Sequence, residues 1–556
     1  MRRPTLLIAV LFATAQAPAA EPSRTDVAAF AARTLDANCD KAAPGMAVLL
    51  ARGDEVLYRG SCGSGILGLG VLLSAVHVFR IGSVPKQFAA AAALKLVEAG
   101  KLSLDDPLTK FVPGYPGGER VTVRMLLNHT SGLRSYTDVP GVMTGTPIMR
   151  DVTTAELIDT FKAEKPDFAP GEGWHYNNSG YVLLGAVIEA ASGKPWHVYL
   201  DETFFKPLGM RHTRYGNQQE RVIPGHVDGY TFNEDHWARA GYLSMTQPHA
   251  AGALVSTVDD LLTWNRALHE GKVLQDASYR AMITPVGKAV ENNYGFGIST
   301  GTLRGVPQLQ HGGGIHGFSA YLLYLPGSDT SVAVLYNADG VPPGVKAPST
   351  IANLLAAQAI GNPYPEKKAI ALDAATLKRY EGVYRVDKDV ARVVRVVDGK
   401  LTSQRSGGSA FALIPVATDT FLFKESLSRI TFERGAEGGI RAMRFFPEDE
   451  GPGQLAPRTD EPLPGLRTAV ALPPAVLARI AGTYAVPGAT LAVTVEGAVA
   501  KVQLTGQPAF EIFPESASRF FLKVVDAELV FAPETGRPAS VTLHQGGRET
   551  VFQRTD

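Results

Sequence analysis

Leu377-Lys378-Arg379-Tyr380-Glu381-Gly382-Val383-Tyr384 returns as Leu477-Ala478-Arg479-Ile480-Ala481-Gly482-Thr483-Tyr484, and this return limits the folds open to the 556-residue chain more than anything else in it. Two further pairs recur at nearly the same offset. Ala410-Phe411-Ala412-Leu413-Ile414-Pro415 matches Ala509-Phe510-Glu511-Ile512-Phe513-Pro514, and Ile430-Thr431-Phe432 matches Leu529-Val530-Phe531. Past Gly361-Asn362-Pro363 the chain consists of short Val- and Phe-rich runs separated by glycines, an all-β texture. A repeat of this length in such a texture predicts two successive copies of one β-barrel-like domain, over 363–460 and 461–556. The proline-rich stretch Pro452 to Pro474 reads as the linker between them.

The preceding residues, 21–362, have a different texture. Helices are predicted over Asp26 to Leu35, Ser179 to Ser192 and Asp259 to His269, the last two stopped near Gly193 and Gly271. Strands are predicted over Gly45 to Ala51 and Glu55 to Arg59, joined by Gly53-Asp54, and over Ser319 to Leu325 and Ser331 to Tyr336. Strands at both ends with helices between predict an α+β domain whose antiparallel sheet is completed by distant parts of the chain. Gly65 to Val78, apolar and without formal charge, reads as a buried loop or strand.

Met1-Arg2-Arg3, the apolar run Leu6 to Ala13 and Ala17-Pro18-Ala19 form a Sec-type export signal over 1–20, too short to span a bilayer and with no cysteine after it to carry lipid. The expected location is therefore periplasmic or secreted, with no stable membrane anchor. In an oxidising compartment Cys39 and Cys62 either pair across the predicted hairpin or stay as two buried thiols, and the sequence leaves both open. Lys plus Arg and Asp plus Glu balance at 54 each, so there is no electrostatic case for nucleic acid. The balance points to small-molecule or peptide chemistry; the oligomeric state is not legible.

Three short stretches carry chemistry. Ser83-Val84-Pro85-Lys86 precedes the alanine-rich run from Ala89, in a predicted amphipathic helix from Ser83 to about Ala99. A serine and a lysine three residues apart lie one turn apart on one face, a nucleophile with its own base. Pro85 is tolerated in a first turn. Tyr176-Asn177-Asn178, after Pro170-Gly171-Glu172, offers a phenol for proton transfer and an amide for a substrate carbonyl. Tyr215-Gly216-Asn217 has the same form, but the turn and helix around the first copy favour it. His311-Gly312-Gly313-Gly314, at the edge of a predicted strand, lets a substrate approach the backbone and exposes N–H groups to an oxyanion.

Rival readings of the third stretch fare worse. The residues after the glycines are strand-like, where a dinucleotide fingerprint needs a helix. No Gly-x-Ser-x-Gly elbow is present for an α/β-hydrolase, and the twelve histidines lack zinc-ligand spacing. A plain glycine hairpin with His311 or His316 solvated stays open.

Taken in order, SVPK, YNN and HGGG resemble the three motifs of the penicillin-recognising serine hydrolases, the family of class C β-lactamases, DD-peptidases and related esterases. FRIGSVPKQF, LLNHTSGL, FAPGEGWHYNNSGYVLLG, KPLGM, YGFG and QHGGGIHGF are all similar to family segments in family order, over roughly residues 25 to 360. The resemblance implies a two-lobed β-lactamase-like hydrolase, an antiparallel sheet flanked by helices plus a helical lobe, here joined at its C-terminal end to two lipocalin-like barrels. It implies no metal and no organic cofactor.

Carried over, Ser83 is the acylated nucleophile, Lys86 takes its proton and Tyr176 is the second acid/base, with lysine and tyrosine both open as the working base. Asn178 positions the substrate amide, and the oxyanion site falls at Gly313 and Gly314 with the Ser83 N–H. His311 replaces the lysine that holds a substrate carboxylate, which argues against an efficient β-lactamase. The three-part architecture is most similar to the D-aminopeptidases of the family, so a D-stereospecific peptidase acting on amide bonds is expected first. A carboxylesterase, a weak β-lactamase or DD-carboxypeptidase, and a non-catalytic penicillin-binding sensor or scaffold are the alternatives.

Overall fold

A computed structural model describes residues 22–556, apart from 140, 144, 218–221, 234, 389, 425, 450, 466, 468, 487–488, 506–508, 524 and 546–547. The export signal read over 1–20 lies outside the described residues. Among them, no helix is long and apolar enough to cross a membrane, and no cluster of three or more His, Cys, Asp or Glu side chains could hold a metal.

The first helix, α1, spans Arg24–Asp36 and is capped by Ser23, whose side chain accepts from the Asp26 N–H. The strands β1 (Met46–Arg52) and β2 (Glu55–Cys62) form the expected hairpin. Cys39 and Cys62 are joined in a disulfide that ties the end of α1 to the end of β2. The remaining strands of the main sheet are β3 (Ser299–Leu303), β4 (Val306–Ile315), β5 (Phe318–Leu325) and β6 (Thr330–Tyr336). Their order is β3-β4-β5-β6-β1-β2, all antiparallel, so the two ends of the domain meet where β1 pairs β6.

Alternation of side chains sorts this sheet into two cores. Met46, Val48 and Leu50 face a layer made by α1 and the helix Pro348–Ala359, while Ala47, Leu49 and Ala51 face the helical lobe. Burial on both faces is why Met46 to Ala51 of β1 and Val332 to Tyr336 of β6 read as apolar runs without alternation.

The helix after the first motif, α2, runs Pro85–Glu98 with Val84 at its cap, so Ser83 belongs to the preceding turn and not to the helix. Nor is α2 amphipathic: Pro85 to Leu94 are all buried, and the run Ala89 to Ala93 lets α3 (Asn178–Ser192) lie close alongside. The stretch Gly65 to Val78 is likewise not the buried segment that its composition predicts. It forms two short strands and a turn, with Leu69 76%, Leu72 58% and Val76 56% exposed.

The two repeats are eight-stranded antiparallel units in simple up-and-down order. The first starts with the strand Gly382–Arg385 and ends with Gln454–Pro457; Tyr384 bridges to Arg458 across the ends. That last strand lies inside the stretch read as linker, so the connection is shorter than its prolines suggest. The second, from Gly482–Val486 to Arg548–Arg554, closes through Tyr484 and Arg554. The repeated tyrosines do the same work in both: Tyr384 donates to Tyr380 O at 2.7 Å and Tyr484 to Ile480 O at 2.9 Å. Likewise Arg458 donates to Glu381 O and Arg554 to Ala481 O.

Candidate active site

The turn before α2 sets the position of Ser83. Gly82 has φ +52, a left-handed conformation that costs other residues energy, and a Cβ there would stand 2.5 Å from the Gly314 nitrogen. Gly313 is as tightly placed, since its Cβ would meet Ile81 O at 2.1 Å and Ser83 N at 3.0 Å. The glycines of the third motif therefore let β4 press against the nucleophile turn, bringing the N–H groups of Gly314 and Ser83 to the same small space. β4 is free to do this because β3 pairs it only as far as Gln310.

Lys86, in the first turn of α2, is fully buried. Its Nζ lies 3.0 Å from Ser83 Oγ and donates to Asn178 Oδ1 and to Ala251 O, each at 2.9 Å. No carboxylate reaches it among the described residues, and the rings of Tyr176 and Tyr181 stand 4.8 and 5.4 Å away. Burial holds the amine well below the usual lysine range. In its neutral form it keeps two donors for Asn178 and Ala251 and turns its lone pair to the Ser83 hydroxyl.

Tyr176 and Asn178 enter through the loop that caps α3. The Asn177 side chain accepts from Gly180 N at 2.8 Å, fixing the helix start, and the Asn177 N–H donates to His129 Nδ1 at 3.1 Å. Burial pushes the Tyr176 phenol up, Ser83 being the neighbour that opposes this. Its hydroxyl is buried without a hydrogen-bond partner among the described residues. A phenol in this state is neutral, a proton donor. Asn178 does not offer a free amide: Oδ1 holds Lys86, and Nδ2 donates to Thr137 Oγ1 at 3.3 Å. The second Tyr-x-Asn copy is elsewhere, with Tyr215 stacked on His197 at 4.5 Å.

His311 does not face the cleft as its place in the motif predicts. It is 4% exposed; Nδ1 donates to Gly312 O at 2.6 Å, and Nε2 accepts from Tyr294 O–H at 2.9 Å. Burial lowers it to about 3. A neutral, fully bonded imidazole cannot anchor a carboxylate, so its part is to brace β4 behind the glycines.

Three residues that spacing did not single out complete the surroundings. His129 packs against Tyr176 at 4.4 Å and Tyr294 at 4.6 Å between ring centroids, and burial holds it well below its ordinary range. Tyr181 and Tyr294 close the cage around Lys86 and His311. His129 lies in the LLNHTSGL segment and Tyr294 in YGFG, but no periodicity marks either as part of a site.

The cleft over Ser83 is small, about 140 Å³, and bounded by Asn178, Gly314 and the apolar side chains of Tyr136, Met143, Leu243 and Ile315. His316 is the one titratable histidine on its wall, and no Asp, Glu, Lys or Arg lines it among the described residues. A larger groove of about 690 Å³ beside His197 and Tyr215 holds none of the motif residues.

Comparison with known proteins identifies the family and the fold. The Beta-lactamase family matches residues 24–374, and a Domain of unknown function (DUF3471) matches 366–456, the first barrel. Penicillin-binding protein 4* of Bacillus subtilis (strain 168) is 27% identical over 439 residues, 74% of this chain and 94% of that protein. Esterase EstB of Burkholderia gladioli is 30% identical over 379 residues, 59% of this chain and 95% of the esterase. Among solved structures, the D-amino acid amidase of Ochrobactrum anthropi SV3, complexed with L-phenylalanine amide, superposes with a TM-score of 0.53 at 25% identity, covering 61% of this chain and 99% of that one. With more than half of its length matched and the three motifs gathered at one cleft, the chain belongs to the Beta-lactamase family of serine hydrolases.

Proposed function

We propose that the protein hydrolyses an ester or amide through an acyl-enzyme on Ser83, with Lys86 as the base. The observation that carries this is the 3.0 Å contact between a buried amine, without a carboxylate among the described residues, and the Ser83 hydroxyl. As Ser83 Oγ bonds to the carbonyl carbon, its proton passes to Lys86 Nζ, and the charge on the carbonyl oxygen is met by the N–H groups of Ser83 and Gly314. The C–O or C–N bond then breaks. The leaving group takes the Tyr176 proton, which Lys86 replaces. Water attacks the acyl-enzyme by the same route in reverse, giving a carboxylic acid and free Ser83.

The cleft wall favours an acyl group that is apolar and uncharged. A D-aminopeptidase substrate presents an ammonium and a penicillin presents a carboxylate, and the described wall offers neither a carboxylate nor a cationic anchor. We therefore place a carboxylesterase or amidase of uncharged acyl groups ahead of a D-stereospecific aminopeptidase. The Cys39–Cys62 disulfide supports an exported, oxidising location. Rates on p-nitrophenyl butyrate, N-acetyl-D- and L-phenylalanine amide, D-alanine p-nitroanilide and benzylpenicillin test the order. Butyrate ester or acetylated amide should be turned over fastest; preference for D-alanine p-nitroanilide would restore the aminopeptidase reading.

A further inference from the structure

The first barrel carries a polar mouth that its own fold does not need. Within the barrel, Val394, Leu401, Leu413, Phe421 and Met443 form the core. The two-residue period of the strands puts Arg392, Ser403, Arg405, Phe411, Phe423 and Phe445 on the same inner face, toward one end. Arg392 and Arg405 are direct cross-strand partners. Like charges in that position repel, and among the described residues neither guanidinium has a carboxylate. Arg392 lies 4.0 Å over the Phe445 ring, and burial together with Arg405 lowers it to about 10. One inward position further in, Ser403 is 0% exposed, and its hydroxyl has no partner among the described residues.

Arg392, Arg405, Phe411, Phe423 and Phe445 line a cavity of about 500 Å³, and Ser403 lies buried beneath it. Its far wall comes from the hydrolase domain: Val341, and Ala347 and Thr350 at the start of the helix Pro348–Ala359. The cap residue Ala347 has no side-chain acceptor, so the first-turn N–H groups add positive character to that wall.

The second barrel is an internal control. Its registers place Leu491 where the first has Arg392, Leu504 for Arg405, Val502 for Ser403 and Leu522 for Phe423. The corresponding space shrinks to about 40 Å³. The same architecture thus closes on leucine and valine, and the paired arginines and buried hydroxyl of the first copy are an addition.

We propose that the mouth of the first barrel binds an amphiphilic carboxylate, its head between Arg392 and Arg405 and its apolar body against Phe411, Phe423 and Phe445. Planar guanidinium pairs suit a carboxylate, an anion there relieves their mutual repulsion, and an aromatic-walled cavity of this size suits a small apolar body. The site is separate from the Ser83 cleft and stands whether or not that cleft is active.

Calorimetric titration of the full-length protein with dodecanoate, dodecyl phosphate, dodecanol and dodecyltrimethylammonium tests it. Dodecanoate should bind at one molecule per chain, dodecanol roughly tenfold or more weakly, and the cation not at all. R392L/R405L, which installs the residues of the second barrel, should weaken dodecanoate by roughly tenfold or more without lowering the melting temperature. Should that variant not fold, R405Q alone should weaken binding in the same direction. No binding of dodecanoate, equal binding of dodecanol, or an affinity unchanged by the arginine variants would overturn the proposal. Tighter binding of dodecyl phosphate would overturn its carboxylate assignment.

Discussion

Asn178 Oδ1 accepts from Lys86 Nζ at 2.9 Å, so the amide at the start of α3 orients the amine that faces Ser83. That partner is neutral, and among the described residues no carboxylate offsets the burial that lowers the Lys86 pKa. Asn178→Asp puts a carboxylate there and raises the Lys86 pKa by about 1–3 units. The active form is the neutral amine, so the acidic limb of kcat/KM should move to higher pH by that amount. A pH profile of ester hydrolysis reads this directly; an unmoved limb would exclude Lys86 as the base.

Gly313 has no room for a side chain between β4 and the nucleophile turn. Gly313→Ala should push the Gly314 N–H away from that of Ser83 and lower kcat by roughly a hundredfold or more, the scale for losing an oxyanion donor. KM should change little. A loss confined to KM would place Gly313 in substrate binding instead.

His311 is braced by Tyr294 and Gly312 and is not turned to substrate. Replacing it with the lysine common in the third motif should therefore bury an unpaired charge and cost about 3–5 kcal/mol in urea unfolding, with no gain in benzylpenicillin turnover. A stable His311→Lys with new penicillinase activity would show that this position reaches the cleft.

His249, His269 and His311 are each lowered by burial from an ordinary value of 6.5 to about 3. A group whose folded pKa is depressed leaves the unfolded chain binding more protons between those values, so stability is complete above about pH 6.5 and falls as the pH drops toward 3. Each contributes up to about 1.4 kcal/mol per pH unit in that window. The urea midpoint should decline steadily from about pH 6.5 to about 5.5, above the range where ordinary carboxylates titrate; a flat midpoint would contradict the assigned burial of these rings.

The parts of the fold that local pattern controls were legible in the chain. The β1–β2 hairpin, the strands β5 and β6, the α3 helix with its Gly193 stop and the barrel repeat follow from periodicity and turn residues. Ser83, Lys86 and Tyr176 were marked only weakly by spacing, and it was the resemblance of SVPK, YNN and HGGG, in that order, to family motifs that singled them out. What escaped depends on contacts between distant segments. His311 lies on a strand whose two faces look alike in sequence, and only packing against Tyr294 turns it inward. Ser83 and Pro85 differ by a turn that Gly82 and Gly314 set jointly. Gly65 to Val78 has a core-like composition, yet among the described residues no element covers Leu69 or Leu72. Arg392 and Arg405 become a pair only when the barrel fixes their register.

The most direct test of the acyl-enzyme account is the intact mass of the protein after exposure to a fluorophosphonate. Wild type should gain a single adduct, mapped to Ser83, which is absent in Ser83→Ala and forms roughly a thousandfold more slowly in Lys86→Ala. A wild-type protein that gains no adduct, or an adduct that persists in Ser83→Ala, would contradict it.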